Sequence, residues 1–487
     1  MEKITGKLNT DNVKIKGRAQ IEVDCELLSD KPIISLLGVS ADSVARSAEG
    51  VENQANVTGR VNFKAVFVSE ENELCALDYY TDFSTMVGID GESVHKLFAF
   101  AKVLEVRQVS AGENSINLKA IVELEIIGVN KRSMDWVDVP ELCTKYQTRT
   151  ESELKEIAEG EFEVSEEYES GGRVDKIILL DTDLILKECK PTRESLLVSG
   201  TAVANLTYST DKGIKSLSLS MPFCEEIEGE SFTPDDDVYL YGYVRDSRIV
   251  LSGDDENNVI KLEVTVAVRV PVFTISETQV LVDAYSIDKE IKLVTKESDS
   301  YKKTGDWNWE ERLSGTVSIP EDAPDVARVL SLVFPRDAVS AVLSGSDKIN
   351  VLGSACALLV YEDGEGLIRS TPVELPYAVE IDATESTASG ETYLRTAICD
   401  MTTAVKRARE VEVMYVLKIY AYQCVREKVC CVVDVEELSE RTGVLPITIY
   451  KKREGSDNWK VGKALRVPIK AVEESEDGFV TCYRQLE

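Results

Sequence analysis

Histidine is almost missing from this 487-residue chain: there is one, His95. A single imidazole cannot build a histidine metal centre or a proton-shuttle pair, and between Val94 and Lys96 it reads as a surface or sheet residue. No Gly-x4-Gly-Lys-Ser/Thr loop, Gly-x-Ser-x-Gly elbow or His-Glu-x-x-His motif occurs, so phosphate-loop, serine-hydrolase and zincin chemistry have no residues to stand on. Positive charge is scarce too: 55 basic against 87 acidic residues give a formal net charge of −32. Such a surface repels phosphate backbones and anionic lipid, which argues against nucleic-acid or membrane binding. No apolar run approaches the ~20 residues of a membrane span. The opening Met1-Glu2-Lys3-Ile4-Thr5-Gly6 has no basic segment followed by an apolar one, so a cytoplasmic location is expected.

Eleven cysteines are present, an odd number, with no Cys-x-x-Cys spacing. Cys75, Cys189 and Cys356 sit inside strand-like runs, where a reduced thiol acts as a small apolar residue. Neighbouring Cys430 and Cys431 would point to opposite faces of a strand, which suits neither a disulfide nor a shared metal. Asp235-Asp236-Asp237 and the run Asp254-Asp255-Glu256-Asn257-Asn258 lack EF-hand spacing and read as solvated turns. No cofactor or metal is expected, and nothing singles out two of the many acids as a catalytic pair.

What the chain does contain is a threefold pattern. Gly59 is followed by Phe67 and Phe83, Gly200 by Tyr208 and Phe223, and Gly353 by Tyr361 and Tyr377. The aromatics fall 8 and then 23 or 24 residues after each glycine, and the glycines are 141 and 153 residues apart. That period is too long for a solenoid unit and fits a domain used three times. Each glycine precedes a period-two run: Val61, Phe63, Ala65, Phe67; Ala202, Ala204, Leu206, Tyr208; Ala355, Ala357, Leu359, Tyr361. A polar turn and a returning run follow, as in a β-hairpin. The glycine reads as a turn residue, the first aromatic as hairpin core and the second as a cover over the returning strand.

A longer alternating strand closes each copy: Leu118 to Ile126, Ile260 to Val268, Val411 to Ile419. Matched segments precede the glycines, Lys31–Leu37, Arg173–Leu179 and Pro324–Leu330. The expected fold is mainly β: three tandem antiparallel β-sandwich-like modules over residues 1–145, 146–297 and 298–437. Residues 145–173, with nine glutamates, and the polar stretch 286–315 read as linkers or as edge strands.

Residues 438–487 differ. Ile447–Tyr450 reads as a strand, Ser456–Arg466 as a helix, Pro468–Glu474 as a second helix opened by proline, and Phe479–Tyr483 as a strand, together a small β-α-α-β domain. Residues 444–470 carry seven basic and two acidic groups, +5 in a chain of −32. Tyr450, Lys451, Lys452, Arg453, Trp459, Lys460, Lys463 and Arg466 are the candidate partner-binding residues, since a basic island on an acidic body favours an acidic partner surface. The alternatives are a solvated helix face for the cluster and a core role for Trp459.

The Pro-Asp-Val-type segment, Val-x-Gly, a strand ending in Tyr or Phe, and Pro222-Phe223 or Pro376-Tyr377 resemble SPOCS domains of clostridial spore-coat morphogenetic proteins of the SipL type. The resemblance covers approximately residues 1–437; the first copy departs from it with Asp82-Phe83. Tyr450–Lys463 resembles the start of a LysM domain, with Asn458 where Leu is common. The resemblance implies a non-enzymatic adaptor in the mother-cell cytoplasm at the forespore surface. There its LysM-like domain would contact the coat-basement ATPase, stage IV sporulation protein A, and its β modules could self-associate. The alternative is a LysM-type protein binding peptidoglycan or N-acetylglucosamine, and a third reading, an enzyme with a site hidden between modules, has no residue support.

Overall fold

In a computed structural model the chain is described over residues 3–90, 94–229, 232–253, 258–287, 289–321, 323–440, 442–446, 464–468, 471–474 and 480–483. The first copy contains β1 (Ile4–Asn9), β2 (Asn12–Leu28), β3 (Ile33–Val51), β4 (Gln54–Ser69), β5 (Leu74–Gly88), β6 (Val94–Ala111), β7 (Ser115–Asn130) and β8 (Ser133–Asp138). The second contains β9 (Cys143–Glu169), β10 (Val174–Pro191), β11 (Ser195–Thr210), β12 (Gly213–Glu228), β13 (Asp237–Val238), β14 (Tyr241–Gly253) and β15 (Asn258–Tyr285). The third contains β16 (Lys289–Ser318), β17 (Val326–Ser344), β18 (Lys348–Asp363), β19 (Ile368–Asp382), β20 (Glu391–Arg407) and β21 (Glu410–Glu440). No helix occurs among the described residues.

Each copy is a pair of antiparallel sheets built to one plan. The strands order as β3-β4-β5 over β2-β7-β6, then β10-β11-β12 over β9-β15-β14, then β17-β18-β19 over β16-β21-β20. Period-two alternation dictates this, because it turns every second side chain to the partner sheet. Leu118, Ala120, Val122, Leu124 and Ile126 on β7 are sealed from solvent, as are Leu262, Val264 and Val266 on β15 and Val413, Leu417 and Ile419 on β21. Three separate cores result, one per copy.

The polar stretches that could have been linkers are strands. β9 runs along β15 from Glu169 to Cys143, and β16 runs along β21 from Ser318 to Lys289. Strands of 27 to 31 residues far exceed the usual 3–10, because one half lies in a sandwich and the other leaves it as a two-stranded ribbon. In the first copy the ribbon is the separate pair β1–β8. Asp11, buried at the break, accepts from Arg132 N at 2.8 Å and from Leu154 N at 3.0 Å, tying the interruption to β9. The ribbons share apolar cores: Leu8 and Met134 with Val280, Val429 and Cys431, and Val137, Val139 and Leu142 with Leu281, Val432 and Val435.

The three copies touch one another in a closed ring. β5 lies against β10, β10–β12 lie against β17 and β20, and β19 lies against β3. One cluster joins Val66 and Leu74, Leu179, and Leu330, Val333 and Val360 from the three copies; another joins Phe98 and Ile127, Tyr239 and Tyr241, and Val416, Tyr420 and Tyr422. Hydrogen bonds cross every junction: Lys64 to Asp181 at 2.6 Å, Thr207 with Ser331 at 2.7 Å, and Asn72 to the Gly366 carbonyl at 2.8 Å.

The C-terminal expectation needs correction. Ala464–Pro468 (β23) pairs with Thr442–Pro446 (β22), and Ala471–Glu474 (β24) pairs with Val480–Tyr483 (β25), so the described parts of the stretches read as helices in a β-α-α-β unit are strands. The reason is local: Leu465 and Val467 alternate with Arg466, and Val472 is β-branched, so both segments are too short and too β-prone to hold helices against pairing. The closing strand agrees with expectation; residues 447–463 lie outside the described residues.

Candidate functional site

The repeated glycines are not turn residues. Gly59, Gly200 and Gly353 lie inside β4, β11 and β18, paired directly opposite Phe83, Phe223 and Tyr377. A Cβ built on Gly200 would stand 2.6 Å from Phe223 Cζ and 2.7 Å from the Ile185 carbonyl oxygen. On Gly353 it would stand 2.7 Å from Tyr377 Cζ and 2.8 Å from the Ala338 oxygen. The glycine therefore leaves a dimple that the cross-strand ring fills, a pairing that repairs the lost packing of a mid-strand glycine. The second aromatic belongs to the returning strand itself. The first aromatics, Phe67, Tyr208 and Tyr361, are buried as expected.

Sheet faces that alternation would leave wet face the ring's interior. Lys64 is one of them: its side chain is 4% exposed, and its ammonium donates to Asp181 Oδ1, to the Leu180 carbonyl at 3.0 Å and to Asp42 Oδ2 at 3.2 Å. Burial alone would lower the Lys64 pKa, but Asp181 and Asp42 outweigh it and hold the ammonium charged. Asp183, two residues on, is desolvated by the surrounding copies and repelled by Asp42 and Asp337, so its carboxyl is pushed up to about 6 despite a bond from Leu184 N–H and the Arg395 charge. Its side chain is nevertheless exposed to solvent.

The buried thiols are pushed up by desolvation, Cys424 to about 12 and Cys431 to about 11, the opposite of an activated nucleophile. Cys430 is only partly buried beside Cys431, and the described cysteines are all free. No group of three or more potential metal ligands occurs among the described residues. Asp236, expected in a solvated turn, is instead buried: it accepts from Thr233 N at 2.7 Å and pairs with Lys155 at 2.7 Å. Residues 254–257 lie outside the described residues. Position 95 falls within β6.

Of the candidate partner-binding residues, Tyr450, Lys451, Lys452, Arg453, Trp459, Lys460 and Lys463 lie outside the described residues. Arg466 is on β23, opposite Val444. The residues that hold the copies together, Lys64, Asp181 and Tyr241, were missed by sequence reasoning. The available signal was an apolar or charged residue on the face that alternation assigns to water, as at Val66 beside Phe67.

The fold and its interior define an all-β protein of three pseudo-equivalent modules closed into one body, a structural architecture in which the repeated residues serve packing. Residues 173–251 match the family model described as SipL, SPOCS domain, so this stretch of the second copy is similar to a SPOCS domain, which points to a sporulation-related protein. The match runs from the start of β10 into β14 and includes Gly200 and Phe223; the corresponding segments of the other copies lie outside it. Neither the curated proteins nor the solved structures give a match to the chain.

Proposed function

We propose that this chain is a non-enzymatic adaptor of spore-coat assembly, acting from the mother-cell cytoplasm at the forespore surface. Its three-module ring is the rigid body, and its basic C-terminal segment, residues 438–487, docks to a coat-basement morphogenetic ATPase resembling stage IV sporulation protein A. The observation that carries the reading is the SPOCS match on the second module, repeated in residue pattern by its neighbours. The local charge of +5 over residues 444–470 supports an acidic docking surface on the partner.

Affinity capture of the full-length protein from sporulating cells, with mass spectrometry of what is retained, tests this. The adaptor reading expects a coat-basement ATPase, lost when residues 444–487 are deleted. Capture that is equal with and without the segment contradicts docking through it.

A further inference from the structure

In the second and third copies the strands that leave the sandwich run on into their ribbons, β9 along β15 and β16 along β21. The first copy is cut at one level on both strands. Pairing ends at Asn12 with Asn130 and resumes at Asn9 with Ser133, so Thr10 and Asp11 on one side and Lys131 and Arg132 on the other fall between the two ladders. Beyond the cut, β1 and β8 pair only with each other, six residues against six. A two-stranded ribbon of that length is marginal in water by itself, and this one is held by what lies beneath it. Leu8 and Met134 are sealed against Val280, Val429 and Cys431, and Val137 against Leu281, Val432 and Val435. Its outer tie is weak: Lys3 meets Asp434 at 2.6 Å with side chains 39% and 48% exposed.

The cut itself is closed by a buried polar clasp. Asp11, 6% exposed, accepts from Arg132 N at 2.8 Å and from Leu154 N at 3.0 Å, and its own N–H donates to the Ser152 carbonyl at 2.8 Å. One residue thus joins both sides of the cut to β9 of the second copy. Against it stand two groups with nothing to bond: Thr10 Oγ1 at the cut and Trp136 Nε1 on β8 are buried without a hydrogen-bond partner. Each such group costs about 1–3 kcal/mol, recovered when water reaches it. These two favour release of the ribbon, and Asp11 opposes it.

We propose that β1 and β8 form a strap that opens as one unit, swinging at the cut when Asp11 lets go, and uncovers the apolar strip of Val280, Val429 and Cys431 while the three module cores stay closed. Opening of this kind is local unfolding, with a free energy below that of the whole protein. The strip lies partly on β21, which runs on to Glu440 at the edge of the C-terminal segment. Unlike the docking of that segment, the strap rests on the packing and hydrogen bonds of the ribbons alone.

Cys431 lies under the strap and Cys424 in the aromatic junction of the ring, both buried, so the two thiols report the two events separately. The test uses full-length protein carrying Cys430→Ser, which removes the partly buried neighbouring thiol. It is pulsed with iodoacetamide at pH 8 along a urea series and mapped by peptide mass spectrometry. Cys431 is expected to become reactive at lower urea than Cys424. Asp11→Ala removes two hydrogen bonds to a charged group and should raise Cys431 labelling about tenfold or more at urea concentrations that leave Cys424 protected. Thr10→Val, which puts a methyl in place of the unsatisfied hydroxyl, should slow Cys431 labelling and leave Cys424 unchanged. Simultaneous loss of protection at Cys431 and Cys424 in the Cys430→Ser protein overturns the proposal whether or not the further variants fold. So does a Cys431 rate that neither substitution moves.

Discussion

Lys64 of the first module donates to Asp181 of the second across 2.6 Å, with 4% and 14% of the two side chains exposed. A buried pair of this kind contributes little over a well-packed apolar pair, but losing one partner strands the other. Lys64→Met leaves Asp181 charged beside the Leu180 carbonyl and should cost about 3–5 kcal/mol. The double variant Lys64→Met, Asp181→Leu should recover most of that loss. Denaturant unfolding of the two single variants and the double variant measures the coupling, and additive losses would show that the pair does not join the modules.

The glycine and aromatic pairs predict a second set of losses. Gly200→Ala drives a methyl into Phe223 and into the Ile185 backbone oxygen, and the backbone cannot swing aside as a side-chain tip can. About 1–3 kcal/mol of destabilisation is expected. Phe223→Ala, which empties the dimple and part of the second core, should cost about 3–5 kcal/mol. A turn role for the glycine would instead leave Phe223→Ala independent of Gly200→Ala, so the double variant decides between them.

Much of the sandwich plan was legible because each module core needs only period two, and Val61-x-Phe63-x-Ala65-x-Phe67 states it openly. The position of the glycines was not. A glycine at the head of an alternating run serves equally as a turn or as a close approach, and only the register opposite Phe83, Phe223 and Tyr377 separates these. The ring was hidden for a different reason: Val66 and Lys64 look like outer-face residues of one hairpin, and nothing in a local window says that another module covers them. The ribbon strands were obscured by composition, since the glutamates of β9 face water on a strand held by its partner β15. At the C-terminus, Pro468 suggested a helix start, whereas it ends a strand.

Thiol accessibility gives a third prediction. Cys143 and Cys224 are exposed, while Cys399, Cys424 and Cys431 are buried, and burial raises the thiol pKa of the latter three. Alkylation of the native protein at pH 8, mapped by peptide mass spectrometry, should modify the first two and spare the other three until denaturant is added. Rapid native labelling of Cys424 would contradict the closed aromatic junction around Tyr239 and Tyr422.

Reversal of the basic island, with Lys460, Lys463 and Arg466 changed to Glu, should weaken capture of the coat-basement partner by about tenfold or more, chiefly through slower association. Raising salt should narrow the gap between wild type and variant, because screening weakens exposed charge attraction. A gap unchanged by salt would assign the contact to packing. Pelleting the full-length protein with purified peptidoglycan checks the glycan alternative, for which retention in the supernatant is expected.

The most direct measurement is the location of a fluorescent fusion in sporulating cells, with and without residues 444–487. The account predicts a ring of signal around the forespore for the full chain and diffuse mother-cell signal after truncation. Diffuse signal from the full chain, or a forespore ring that survives truncation, contradicts it.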